Sequence, residues 1–490
     1  MLDHLPILQV VVPLMVAPVA ALMRRRDAAW LLALLATWAS LGIAVLLLLR
    51  VLDEGTIIYS LGGWAAPWGI EYRVDTVSAY VLVVVAGIGA IVTPYARLSV
   101  AREVGHQVAP LLYAALLLCL AGLLGITITG DVFNLFVFLE ISSISAYALI
   151  AMGPDRRALH ASYKYLIMGS IGATFIVIGI GMMYMMTGTL NMADLAVRLP
   201  LVGSRTISVA FAFLTVGISL KLALFPLHAW LPDAYAYAPS TVTAFLASTA
   251  TKVAFYVLLR VFFSIYGVVF AFETMTLHWI LLPLALVAVL SASFSAISQE
   301  DVKRLLAYSS VAQIGYMILG ISLGTVTGLT AGLLHLFNHA LIKAALFMAV
   351  GAVMYQVGSV RIEAMRGLAK RMPWTMAAFV AGGLSLIGVP FTVGFVSKWY
   401  LVLGLVESGM WEVALLVLLG SLLAGAYIWK VVEAAYFNDF LGDLEVKEAP
   451  LQLLIPIWVL VAANFYFGID ATVTAGVARQ AAQLLLGMGP

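Results

Sequence analysis

The chain is 490 residues long, 63% hydrophobic and only 10% charged, whereas soluble domains carry roughly 25% charged residues. That composition excludes an ordinary soluble protein and an intrinsically disordered chain, and Cys119 as the single cysteine excludes a disulfide scaffold. The balance of 26 Lys and Arg against 24 Asp and Glu excludes a strongly basic nucleic-acid binder, so the expected partner is the lipid bilayer and not nucleic acid.

A helix needs about 20 apolar residues to cross the hydrocarbon core. In chain order, such stretches fall near 5–23, 28–50, 75–95, 109–129, 131–153, 161–187, 207–230, 241–267, 277–298, 303–323, 326–355, 373–403, 409–437 and 450–470, fourteen in all. The loops between them are too short for a soluble domain. The first stretch reads as a retained helix, because Arg24, Arg25 and Arg26 follow the apolar run instead of preceding it. Alternating loops place fifteen Lys and Arg on one side and six on the other. The richer side is expected to be cytoplasmic, which puts both termini on the outer side of the cell (inner) membrane. After the last stretch, the tail 471–490 is too short to span again and is expected at the interface or against a neighbouring subunit.

Five lysines remain inside predicted spans: Lys221, Lys252, Lys343, Lys398 and Lys430. Glu140, His228, His335 and His339 also lie within spans. A lysine at the bilayer centre costs about 2.5–3.5 kcal/mol even on the most lenient scale, and such groups usually face a bundle interior or a water path. Lys430, near a cytoplasmic helix end, has a structural reading: it can snorkel or pair with Glu433. Asp75 and Asp131 stand at helix starts, where a carboxylate favours the positive dipole end. His228 follows a proline and can cap freed backbone. Cys119, in an apolar setting, reads as a core residue. Lys221, Lys252, Lys398 and Glu140 are flanked by long apolar runs, and a functional role is expected for them.

Pro226 interrupts the seventh span and Pro390 the twelfth. Proline inside a helix frees backbone carbonyls, tolerated in a membrane only where protein or water satisfies them. Two breaks five spans apart suggest two five-helix repeats of opposite orientation. Broken helices at matching positions of such repeats point to a transport path. The expected fold class is an all-α polytopic membrane protein of about fourteen transmembrane helices. Its expected divisions are 1–108, a first repeat 109–267, a second repeat 277–437, and 450–490 with the last span and tail. In the eleventh span His335, His339 and Lys343 recur at i, i+4 and i+8, on one helix face. Two histidines so spaced can bind metal, but HLFNHALIK offers no acidic residue between them and no third ligand. A water-bridged proton relay suits the row better, and no metal is expected.

The segments GDVFNLFVFLEISSISAYALI (130–150), GISLKLALFPLHAWLPDAYAYAPSTVTAFLASTATKVAFYVLLR (217–260) and SQEDVKRLLAYSSVAQIGYMILG (298–320) resemble the antiporter-like subunits shared by respiratory complex I, Mrp-type cation/proton antiporters and membrane-bound hydrogenases. The resemblance runs through essentially the whole chain and is greatest to the D-type Mrp subunit. It implies a glutamate–lysine pair at Glu140 and Lys221, a bridging lysine at Lys252, relay histidines at His335 and His339, a further lysine at Lys343 and a terminal lysine at Lys398. It also implies other membrane subunits as partners, with H⁺ and Na⁺ as the exchanged ions. No phosphate loop, dinucleotide glycine pattern, haem motif or cysteine cluster occurs in the sequence, so no cofactor is expected. Two other classes stay open: a proton-pumping subunit of a complex I-like or hydrogenase assembly, and a membrane acyltransferase with His335 as general base.

Overall fold

The structure is a computed structural model that describes residues 2–440 and 445–488. The chain opens with α1 (Leu5–Leu22) and α2 (Arg26–Glu54), then a short antiparallel hairpin of β1 (Ile57–Ser60) and β2 (Glu71–Val74). Composition gives no hint of this hairpin. It leads into α3 (Thr76–Glu103), whose start is fixed by a capping box between Asp75 and Ser78.

The central run comprises α4 (Ala109–Ile128), α5 (Val132–Ala151), α6 (Arg157–Thr187), the short α7 (Met192–Arg198), α8 (Arg205–Leu222), the short α9 (Leu231–Tyr237) and α10 (Ser240–Leu259). It is followed by α11 (His278–Ile297), α12 (Val302–Ser322), α13 (Val326–Val357), a single turn α14 (Leu368–Arg371), α15 (Pro373–Ile387), α16 (Val393–Glu407) and α17 (Trp411–Phe437). The chain closes with α18 (Leu451–Ile469) and α19 (Thr472–Leu485).

Among the described residues 13 helices are long and apolar enough to cross a membrane, and α15 with α16 supplies a further crossing as two halves of a broken helix. The protein is thus an all-α polytopic membrane protein. Both expected breaks are present. Helix α8 stops at Leu222, ahead of Pro226, and α15 stops at Ile387, ahead of Pro390. The chain turns at Ala223 (φ 59°) in the first and at Gly388 (φ 93°) in the second, both left-handed. At Gly388 only glycine is unstrained, and an added Cβ would also stand 3.0 Å from Lys398 Cδ.

Burial is uneven. Helices α10 and α12 are nearly enclosed, whereas α1, α2, α6 and α17 bury about a third of their spanning windows. The enclosed helices form the bundle axis, with α10 and α12 both packed on α13. The partly exposed ones present leucine and tryptophan outward, as lipid- or protein-facing helices do. The tail folds as the amphipathic α19 and packs on α3 and α13 through Val477, Ala478, Ala481 and Leu485. It therefore caps its own chain on the face where α1 begins.

Candidate functional site

On α5, Glu140, Ser143 and Tyr147 recur at i, i+3 and i+7 and share one face. Opposite them, Lys221 is the penultimate residue of α8, at the negative end of a half-helix where a cation is favoured. Its Nζ donates to Ser143 Oγ at 2.8 Å and Tyr147 OH at 3.4 Å, and stands 3.6 Å from Glu140 Oε1. The lysine side chain is 6% exposed and the glutamate 29%, so the pair is asymmetric: the ammonium is enclosed, while the glutamate side chain is partly exposed although its Oε1 is buried with no hydrogen-bond partner among the described residues. The carbonyl freed at Leu220 is taken by the Trp230 indole N–H at 3.0 Å, a role the sequence offered to His228. His228 instead stacks on Phe225.

Between Lys221 and α10 lies a cavity of about 40 Å³, bounded by Cys119, Ser142, Ser143, Tyr165 and Val253 among others. It has room for at least one water. On α10 the cavity is lined by Ala250, Val253, Ala254 and Val257 and not by Lys252, which is wholly buried; its Nζ donates to Ala247 O at 2.5 Å and Thr251 Oγ at 3.3 Å. Cys119 is a free, buried thiol, as expected of a core residue, though it also lines this cavity.

Helix α13 carries the next groups. The rings of His335 and His339 stack with centroids 6.0 Å apart, as their i, i+4 spacing requires. His335 is held at both nitrogens, Nδ1 against Ser397 Oγ and Nε2 against Gln313 Oε1, each at 2.9 Å. With both nitrogens engaged and the ring 3% exposed, it is not available as a general base for an external acyl substrate. His339 is wholly buried, and neither ring nitrogen has a hydrogen-bond partner among the described residues. A buried imidazole without partners is costly, so this position calls for water or a moving neighbour. Lys343, one turn further on, leaves the histidines and donates to Leu306 O and Ser309 Oγ of α12.

Lys398, on α16, reaches back across the break. Its Nζ donates to Leu386 O at 3.1 Å and Ile387 O at 2.8 Å, the last carbonyls of α15, and to Ser421 Oγ at 2.9 Å. It also lies 4.9 Å from the Tyr316 ring centroid. Gly394 permits this geometry: a Cβ there would collide with Ser385 O at the end of α15. Ser397, next to Lys398, links the lysine's helix to His335.

All seven titratable residues singled out in the sequence therefore lie in the bundle, and six of them are at most 7% exposed, Glu140 being the exception. The sequence missed Ser143, Tyr147, Gln313, Ser397 and Ser421, the hydroxyls and amide that hold these groups. Their only signal was polarity inside an apolar span. Arg260 and Lys303, which the distribution of spans assigns to loops or helix ends, are buried: Arg260 pairs with Asp75 and Lys303 donates to Ala238 O. Lys430 takes its structural reading, though by donating to Ile297 O and Gln299 O at the end of α11 and not to Glu433.

Fold and site together define a polytopic membrane protein with a buried row of basic groups interrupted by two broken helices. The family model described as "NADH:quinone oxidoreductase/Mrp antiporter, TM" matches residues 129–424. The chain belongs to this family, as the three sequence segments indicated. It is 45% identical to the N-type subunit of NADH-quinone oxidoreductase from Desulforudis audaxviator (strain MP104C), with 94% of each chain covered. It is 30% identical to the D-type subunit of the Na(+)/H(+) antiporter from Bacillus subtilis (strain 168), over 99% of this chain and 98% of that one. Among solved structures, a chain of the Mrp complex from Dietzia sp. DQ12-45-1b superposes with a TM-score of 0.90 at 25% identity, covering 99% of this chain and 97% of that one.

Proposed function

We propose that the chain is the proton-translocating subunit of a multisubunit Na⁺/H⁺ antiporter in the cell membrane. Protons move along Glu140, Lys221, Lys252, His339, His335 and Lys398, with Lys343 as a side station toward α12. The observation that carries this reading is the set of enclosed basic groups from α8 to α16, with a water-sized cavity beside Lys221 and hydroxyls at Lys221, His335, Lys343 and Lys398. Burial disfavours the charged form of a lysine, and a nearby carboxylate restores it. Movement of Glu140 toward or away from Lys221 therefore changes how tightly that lysine holds its proton. The subunit works with other membrane subunits, and both termini face outside. Residues 109–267 and 277–437 act as the two inverted repeats. In support, the N-caps Asp131 and Asp301 each bridge a later segment, at Asn191 and Arg361. The test is expression with its neighbouring genes in an antiporter-deficient host: salt and alkali tolerance should return, and should be lost with Lys221→Ala.

A second reading is favoured by the 45% identity to the N-type subunit of an NADH-quinone oxidoreductase: the same proton row moved by redox partners. Quinone-dependent proton pumping that is indifferent to Na⁺, in vesicles bearing the assembled complex, would select it over antiport.

A further inference from the structure

Helix α10 carries a second polar row that the relay does not use. From Lys252 toward the face bearing both termini, Tyr256, Arg260 and Ser264 follow at i+4, i+8 and i+12 and so share one side of the helix. The rise from Lys252 to Arg260 is roughly 12 Å. At Arg260 the α-helix gives way to a π-helical turn, Arg260–Ile265, a distortion frequent at functional sites. The row ends at a cavity of about 320 Å³ whose lining includes Arg73, Asp75, Thr129, Gly130, Arg260 and Ser264.

Every member of this row is turned to the protein. Tyr256 OH donates to Thr127 O at 2.7 Å and accepts from Arg260 Nε at 2.9 Å. Arg260 also donates to Asp75 Oδ1 at 2.5 Å and to Ser264 Oγ at 3.3 Å. The two charged side chains are 9% and 6% exposed although they line the cavity. Lys252 points the other way, to Ala247 O. A desolvated ion pair between two different elements thus stands between this cavity and Tyr256, with Lys252 one turn beyond.

We propose that the Arg260–Asp75 pair gates an outlet from Lys252 past Tyr256 to this cavity, through which protons leave toward the face carrying both termini. The proposal rests on Lys252 carrying protons in the proposed function. When the pair opens, the Lys252 ammonium gives its proton to water in the row, only the N–H bond breaks, and the neutral amine is reprotonated from the Lys221 side. Arg260 and Asp75 are positioning residues that decide when the row is wet.

The test uses the full chain with its partner subunits in vesicles under an imposed proton gradient. Arg260→Gln and Asp75→Asn should raise the passive proton leak about tenfold, the effect of lowering the opening barrier by about 1.4 kcal/mol. Arg260→Lys should retain the low leak. Adding Lys252→Leu to Arg260→Gln should abolish the excess leak; an excess that persists without Lys252 overturns the route. A second readout is independent of transport. Cys119 is the only cysteine of this chain and is buried, so a Tyr256→Cys reporter is read on the separated subunit without background from the chain itself. An impermeant thiol reagent should label it in the Arg260→Gln background and not with Arg260 intact. Equal labelling in both, or none in either, overturns the gate and leaves the pair a mere staple. Labelling that opens as expected while Lys252→Leu leaves antiport unchanged would retain the gate and refute the relay.

Discussion

The two broken helices hold their lysines in different ways. In the first, Lys221 lies at the end of α8 and reaches across to Glu140, Ser143 and Tyr147 on α5. In the second, Lys398 lies beyond the break and folds back on the carbonyls that end α15, with Ser421 beside it. Each ammonium stands at the negative end of a half-helix, but only Lys221 has a carboxylate; Lys398 makes no ion pair among the described residues. The first lysine is thus tuned by a side chain on another helix, partly exposed and able to move independently. The second is tuned by backbone, which moves only if the break itself rearranges. One site suits an input that senses a neighbour, the other a terminal station set by helix geometry.

The largest expected effect follows from the carboxylate. Glu140→Ala or Lys221→Ala should abolish transport while the complex still assembles, read as gradient-driven antiport alongside subunit recovery. Normal antiport in either variant would break the contrast between the two lysines at its root. The breaks themselves should respond with opposite signs. Gly388→Ala forces a left-handed alanine, which costs roughly 1–2 kcal/mol. It also crowds Lys398, so both thermal stability in detergent and transport should fall. Ala223→Gly at the other break relieves the same kind of strain and should be neutral or slightly stabilising, by up to about 1 kcal/mol. Equal losses at the two positions would show that strain is not what distinguishes them.

Ser397→Ala leaves His335 Nδ1 without its partner. It should cost about 1–3 kcal/mol and slow transport without abolishing it, whereas Ser397→Thr should retain both. The smallest effect is expected at Lys430, whose ammonium only caps the end of α11. Lys430→Met should cost about 0.3–1 kcal/mol of stability and leave antiport near normal. A transport defect there as large as at Lys398 would add it to the relay.

The sequence carried much of this site because charge is rare in a membrane chain. Lys221, Lys252, Lys343, Lys398, His335 and His339 announced themselves as expensive residues in apolar runs, and their burial follows the expectation. The shared face of His335 and His339 on α13 was also legible, since i, i+4 spacing fixes it whatever the helix packs against. Proline was a weaker guide. Pro13, Pro18, Pro94, Pro283 and Pro456 also lie inside spans, yet their helices run on unbroken. At Pro226 and Pro390 the helix stops, and Trp230 and Lys398 donate to the carbonyls at the broken ends, partners that lie beyond the break.

Composition and period therefore determined by themselves that this is a polytopic helical membrane protein, about how many times it crosses, and which ionisable groups are costly. These are properties of single helices in a medium of low polarity, where each misplaced charge has nowhere to hide. Tertiary structure decided which groups meet. It set Glu140 against Lys221, turned Lys343 away to Ser309, held His335 between Gln313 and Ser397, and drew Arg260 from an apparent helix end into a buried pair with Asp75. Distances across helices depend on packing angle and register, which side-chain volumes settle jointly over the whole bundle, and no local stretch of sequence contains them.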